Sequence, residues 1–291
     1  MAIIKNNSEI LFVYDAKMTN PNGDMDNENK PRMDYDTGTN LVSDVRLKRY
    51  LRDYFEKQLG EPIFVTENAK DAKDRGAQLK KENKSHKDLI DCRMFGAVFA
   101  ETGGSDHLTG PIQFNWGYSL NKVDLCDSNT ITSSFSSGEG VGKDFRVKYS
   151  LIAFSGGINA KTAEGTGLSE NDLKVFDKAM LNAIPFCRTR SKIGQAPRFY
   201  LRVELADNKT FLNDLREYLS FHPKGDDHEV TDIKSFTLGI GSLTAYLKKF
   251  GERIGTLHFW KDDHLGFADG DWENFEKAFQ GKLSEINPLD E

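Results

Sequence analysis

The sequence predicts an α+β fold built on an antiparallel-type sheet. Three observations carry that reading: a short continuous apolar run at residues 10–14, three segments that alternate apolar and polar residues with period two, and amphipathic helical stretches interleaved with them irregularly.

Ile10-Leu11-Phe12-Val13-Tyr14 reads as a central strand buried on both faces. Residues 20–42 follow as a long loop dense in turn formers, with Asn20-Pro21-Asn22-Gly23-Asp24, Pro31-Arg32-Met33-Asp34 and Thr37-Gly38, and long loops are often functional. Ser43 is a good N-cap with Asp44 in the first turn, and Leu47, Tyr50, Leu51, Tyr54 and Phe55 share one side of the helix it opens. Arg46, Lys48, Arg49 and Arg52 fall on the flank, so they read as one solvent-facing basic stripe. Residues 66–91 are charged and mixed in sign, which suggests a peripheral helical segment, and Arg93 to Val98 returns the chain to the core.

Residues 112–120 place Ile112, Phe114, Trp116, Tyr118 and Leu120 on one strand face. Residues 145–153 alternate Phe145, Val147, Tyr149, Leu151 and Ala153 with Arg146, Lys148 and Ser150. Residues 198–205 alternate Phe199, Leu201, Val203 and Leu205 with Arg198, Tyr200, Arg202 and Glu204. Such polar, basic outer faces imply a sheet covered on one side. Residues 128–143, rich in Ser, Thr and Gly, read as a protruding hairpin. Ser169, with Asp172 three residues on, opens a helix that turns Leu173, Phe176, Met180, Ala183 and Ile184 inward and stops at Pro185. Further helices are expected over 208–219, 241–250 and 271–284, and no internal repeat is present.

The 291 residues carry a formal net charge of −6 and 38% hydrophobic residues, which excludes a disordered or fibrous chain and permits one elaborated domain or two small ones. No run approaches the ~20 apolar residues of a membrane span. The N-terminus lacks the apolar stretch of a cleaved signal, and Cys92, Cys126 and Cys187 are too scattered for a disulfide framework, so a reducing cytoplasm is expected. Residues 261–291 hold three lysines against nine acids, a local charge of −6 that accounts for the whole formal charge. Residues 186–202 carry Arg188, Arg190, Lys192, Arg198 and Arg202 with no acid, an anion-binding signal that net charge alone hides.

Other motifs reduce to simpler accounts. Gly138-Glu139-Gly140-Val141-Gly142-Lys143-Asp144 imitates a phosphate loop, but Ser137 replaces its first glycine and Asp144 its magnesium-binding Ser or Thr, leaving a glycine-rich hairpin tip. Asp24, Asp26 and Glu28 alternate like calcium ligands, yet Asn29 and Tyr35 stand where an EF-hand needs Gly and Glu. His258 and His264, beside Asp262 and Asp263, have no metal-ligand spacing, and Cys187 reads as structural. No metal, cofactor or catalytic residue is assigned. What remains is the basic stripe, the basic run and a sheet face on which Tyr200 between Arg198 and Arg202 suits base stacking and phosphate neutralisation. The strand does not match the consensus of an ordinary RNA-recognition motif.

Taken together, residues 20–24, 31–34, 37–38 and Ser43-Asp44-Val45-Arg46-Leu47-Lys48-Arg49-Tyr50-Leu51-Arg52 resemble the crRNA-binding backbone subunit of the type I CRISPR Cascade complex, the Cas family numbered seven of the RAMP superfamily, in its I-B/I-C branch. Arg93 to Val98, Thr109 to Phe114 and Tyr149 to Gly157 extend the resemblance over roughly residues 8–205. Met25 stands where that family more often has proline.

The resemblance implies a modified ferredoxin-like palm spanning residues 1–291, with helical fingers at 60–92 and a hairpin thumb at 122–145. It implies a noncatalytic protein that polymerises along guide crRNA and presents it to target DNA beside other Cascade subunits, with no membrane partner. The expected RNA-binding set is Arg46, Lys48, Arg49, Arg52, Gln113, Lys143, Arg146, Lys148, Arg188, Arg190, Lys192, Arg198, Tyr200 and Arg202, with Ile131, Phe135 and Val141 as thumb wedges. The acidic C-terminal segment is expected to limit nonspecific DNA binding, with deletion of residues 270–291 as its test. The alternative is a guide-bound endoribonuclease using Asp34, or Asp36 beside it, to hold hydrated Mg²⁺. A general single-strand-binding protein is a third reading.

Overall fold

The structure, a computed structural model, describes residues 2–101, 104–127, 130–132, 141–226 and 229–289, with side chains undescribed at 100, 101, 104–106, 131, 132 and 141. Strand β1 (Ser8–Thr19) leads into a loop carrying two short ladders, β2 (Gly23–Asp24) with β3 (Lys30–Pro31), and β4 (Met33–Asp34) with β5 (Thr39–Val42). Helices α1 (Asp44–Lys57), α2 (Ala72–Glu82) and α3 (Ile90–Phe95) precede the hairpin of β6 (Gly96–Glu101) and β7 (Gly104–Thr109). Strands β8 (Ile112–Phe114) and β9 (Gly117–Ser119), the antiparallel pair β10 (Thr130–Thr132) and β11 (Val141–Lys143), and the long β12 (Val147–Ile158) follow. Then come α4 (Ala160–Thr166), α5 (Glu170–Phe186) and β13 (Gln195–Leu205). The chain closes with β14 (Ser220–Pro223), β15 (Phe236–Gly239), α6 (Gly241–Lys248), β16 (Ile254–Lys261), α7 (Asp271–Ala278) and β17 (Leu283–Glu285).

β1 sits inside a nine-stranded sheet of order β17-β16-β13-β1-β12-β9-β5-β4, with β8 paired to β12. Every neighbour is antiparallel except β16 and β17. Val13 stands opposite both Ala153 and Phe199, which fixes the centre of the α+β domain on the apolar run recognised in the sequence. Ser43 and Ser169 cap α1 and α5 as expected, the Ser43 hydroxyl accepting from the Arg46 N–H and the Ser169–Asp172 pair forming a capping box.

The one-sided sheet is corrected: both faces are covered. Phe12, Tyr14, Phe154 and Tyr200 pack under Leu47, Tyr50 and Leu51 of α1 and Phe176 and Met180 of α5. Leu11, Val13, Phe199 and Leu201 pack against Leu238, Leu243, Leu247, Trp272 and Phe275 from the C-terminal elements. Ser150, Tyr200 and Arg202 at the alternating polar positions are therefore interior and need buried partners rather than water, whereas Arg146 is half-buried and Lys148 exposed.

Three boundaries also differ. The strand at 112–120 breaks at Asn115 and Trp116, where Asn115 Oδ1 accepts the Trp116 N–H at 2.8 Å, and Trp116 is left 43% exposed. Residues 208–219 form a loop and a short 3-10 turn, since the Asp207 carboxylate captures the N–H groups of Lys209 and Thr210. α7 stops at Ala278, and Gly281, at φ 82°, turns the chain into β17. A satellite cluster of Phe64, Leu79, Leu89 and Cys92 joins α2 and α3 to the β6–β7 hairpin. Among the described residues no helix is long and apolar enough to cross a membrane.

Candidate nucleic-acid interface

Leu47, Tyr50, Leu51 and Phe55 seat α1 on the sheet, leaving its four cations on the flank. That flank is not an open stripe, because residues 60–95 pack along it and supply partners. Lys48 donates to Asp44 at 3.1 Å and to Gln113 Oε1 at 2.9 Å. Arg49 donates to Asp53 at 2.7 Å and to the Val65 carbonyl at 2.8 Å. Arg52 donates to the buried Asp91 at 2.9 Å, and the same carboxylate accepts from the Phe64 and Val65 N–H groups. Arg49 and Arg52 thus tie residues 60–95 to the helix, and Lys48 ties β8 to it.

Arg46 differs. Its guanidinium lies 4.1 Å from the Tyr50 ring centroid, and its Nη2 approaches Cys187 Sγ at 3.9 Å. Among the described residues neither Arg46 nor Lys192 has a carboxylate within ion-pair distance. The Lys192 ammonium instead donates to the carbonyls of Asn20 and Pro21. Burial pushes this lysine down to about 7, the Arg46 cation adding to the effect. Tyr50 donates to Gln195 Oε1 at 3.1 Å, while Gln195 Nε2, Arg46 Nε, Tyr14 OH and Asn20 Oδ1 are buried without a hydrogen-bond partner among the described residues. Two cations and three unmet donors, with no carboxylate at ion-pair distance from either cation among the described residues, have the chemistry that complements an anion with several acceptor oxygens.

The loop after α5 shapes this cluster. The Lys17 N–H donates to the Gly194 carbonyl at 2.9 Å and the Asn20 N–H to Ser191 at 3.0 Å, so the basic run lies along the end of β1. Gly194 has φ 106°, and a Cβ there would sit 2.6 Å from the Lys17 carbonyl oxygen, so the close approach requires glycine. Asn22 Oδ1 accepts from both the N–H and the hydroxyl of Ser43, joining the loop after β1 to the start of α1. Arg188 and Arg190 are exposed beside the cluster, with Arg190 3.8 Å from Asp144. Arg146 is held by Asp144 and donates to the Met18 carbonyl. Lys143 pairs with Glu28 at 2.8 Å, and Lys148 lies 3.9 Å from Asp124.

The sheet-face residues require correction. Tyr200 is fully buried and donates to Asp177 Oδ1 at 2.7 Å, and Arg202, 3% exposed, forks onto Asp177 at 2.6 and 2.8 Å. Arg198 lies 2.9 Å from Asp15 and 2.7 Å from Asp262. Asp177 arrives from α5, so the polar face of β13 meets a helix and offers no stacking platform. Phe135 lies outside the described residues, as do the side chains of Ile131 and Val141, whose backbones belong to the β10–β11 pair. Asp34 accepts from the Asp36 N–H at 3.1 Å and the Thr37 hydroxyl at 2.8 Å, an Asx turn that organises its loop. No cluster of three or more His, Cys, Asp or Glu side chains suited to a metal occurs among the described residues.

Residues 6–240 match the family described as CRISPR-associated protein Cas7. A protein of that description from Haloferax volcanii is 32% identical, the match spanning 96% of this chain and 94% of the relative. The chain belongs to the Cas7 family. Two solved structures are similar to this chain in fold. One, titled CRISPR RNA-guided surveillance complex, pre-nicking, has a TM-score of 0.52 at 12% identity and covers 97% of both chains. The other, titled CRISPR RNA-guided surveillance complex, has a TM-score of 0.56 at 14% identity, covering 97% of this chain and 95% of its own. In this Cas7-family chain the sequence pattern missed Tyr14, Tyr50, Gln195 and Cys187 as parts of the cluster. The signal available was polar side chains at otherwise apolar, inward positions.

Proposed function

We propose that this Cas7-family chain is the guide-binding backbone subunit of a type I CRISPR surveillance complex. Its copies line up along a crRNA, hold the phosphates and leave the bases to pair with target DNA, so that the protein reads backbone shape and pairing reads sequence. The observation that carries this reading is the acid-free cluster of Arg46 and Lys192 beside exposed Arg188, on a chain that matches the family along most of its length. Residues 60–92 would serve as fingers on a ferredoxin-like palm and residues 122–145 as the thumb, with Ile131, Phe135 and Val141 as its wedges. Of the expected phosphate contacts, Arg46, Lys192 and Arg188 are favoured; Lys48, Arg49 and Arg52 act in support. The Asx turn at Asp34 favours a scaffold over a guide-bound endoribonuclease, since both carboxylate oxygens already accept hydrogen bonds.

A native-gel titration against single-stranded RNAs of graded length, with magnesium and a denaturing lane for each endpoint, tests the reading. Stepwise shifts whose number grows with RNA length, over intact RNA, are expected. Length-independent binding would overturn the backbone reading, and RNA shortened by the parent chain but not by Asp34→Ala would establish the nuclease.

A further inference from the structure

We infer that Cys187 is a modification site, a thiol whose mixed disulfide with an acidic low-molecular-weight thiol closes the phosphate-binding cluster. This rests on the RNA-backbone reading above and adds a control to the same site.

Cys187 caps the C-terminal end of α5, half-buried, where the basic loop begins. Its sulfur faces Arg46 Nη2 at 3.9 Å, and Lys192 lies within electrostatic reach of both. The surroundings point independently to an anionic ligand. Gln195 and Tyr14 are 6% and 1% exposed, yet among the described residues Gln195 Nε2, Tyr14 OH and Arg46 Nε have no hydrogen-bond partner. Gln195 accepts from the hydroxyl of Tyr50, the ring of Tyr50 lies against Arg46, and Tyr14 is within electrostatic reach of both, so Arg46, Gln195 and Tyr14 share Tyr50 as a neighbour. An acidic group tethered to the sulfur would neutralise the two cations, accept from those donors and occupy the space of an RNA phosphate.

The other cysteines lack this setting. Cys92 is fully buried, and burial pushes its thiol up. Cys126 is half-buried, with its sulfur 3.5 Å from Met18 Sδ and its thiol also pushed up by burial. In the proposed step the Cys187 thiol loses its proton to solvent and the thiolate attacks one sulfur of a small disulfide. The new sulfur–sulfur bond forms as the reagent's bond breaks. Cys187 is oxidised, and the departing half leaves reduced, as a thiolate.

Glutathione disulfide is the probe, used on the full chain carrying Cys126→Ser. Intact mass should show one glutathionyl adduct under native conditions, and the adduct should bind single-stranded RNA about tenfold more weakly, with a salt slope shallower by about 0.7 for each RNA phosphate that the protein no longer neutralises. Dithiothreitol should restore binding, and the Cys126→Ser/Cys187→Ser protein should form no adduct and bind RNA equally before and after glutathione disulfide treatment. Aminoethyl methanethiosulfonate, which adds a cation at the same sulfur, should weaken binding less than the acidic adduct. No native adduct, an adduct with unchanged affinity, or equal losses from both reagents would overturn the inference. Failure of the unmodified Cys126→Ser protein to bind RNA of any length would remove the backbone reading itself, and this inference with it.

Discussion

Arg46 and Arg52 lie less than two turns apart on α1 yet do different work. Arg52 meets the buried Asp91 and holds a neighbouring segment, whereas Arg46 has only an aromatic face and a thiol. Arg46→Met should therefore reduce the salt slope of RNA binding by about 0.7 while leaving the thermal midpoint close to that of the parent. Asp177→Ala should act oppositely, costing about 3–5 kcal/mol in urea denaturation because it strands the buried Arg202 and Tyr200. Lys192 adds a pH signature. With burial holding it at about 7 against an ordinary 10.5, the unfolded chain carries a proton that the folded chain lacks between those values, so stability should rise with pH across that window. A phosphate on Lys192 would restore the charge, so RNA binding should take up a proton above pH 7 and weaken as pH rises, an effect absent from Lys192→Met. Calorimetry in two buffers of different ionisation enthalpy measures it. The cations themselves were legible in the sequence. Which of them are neutralised was not, because Asp91 and Cys187 come from distant segments that only the fold brings to α1.

At the scale of elements, strong local signals survived and weak ones yielded to packing. The apolar run, the Ser43 cap and the Ser169–Asp172 box each specify their element with nearby atoms alone. The alternation of β13 marks a strand but suggests a half-exposed one; its polar face is in fact covered by α5, whose Asp177 lies more than twenty residues before Tyr200 and Arg202 and meets them only in the fold. The segment around α2 and α3 depends on one carboxylate. Asp91 accepts from Arg52 and from two backbone N–H groups, so Asp91→Ala should increase hydrogen exchange and proteolysis within residues 60–95 while the main sheet stays protected. Equal loss of protection in β1 and β12 would show that this segment and the sheet unfold as one.

At the scale of the whole molecule, the acidic C-terminal segment is part of the body. Trp272 and Phe275 of α7 enter the second core, so deleting residues 270–291 would remove structure as well as charge. The charge hypothesis is better tested by changing the exposed Asp263, Asp269, Glu273 and Glu276 to their amides. Duplex-DNA binding at low salt should increase and the thermal midpoint should hold; unchanged DNA binding would retire the idea that these acids repel nucleic acid.

The position of β1 sets a clock on biosynthesis. The strand is complete at Thr19, but its partners β12 and β13 end at Ile158 and Leu205, so both of its edges wait for chain not yet made. At typical translation rates of 5–20 residues per second, that wait lasts roughly 10–40 s. Through that interval an apolar strand with unpaired edges must be shielded from neighbouring nascent chains, which makes the yield of this protein depend on chaperone supply and elongation speed more than on its final stability.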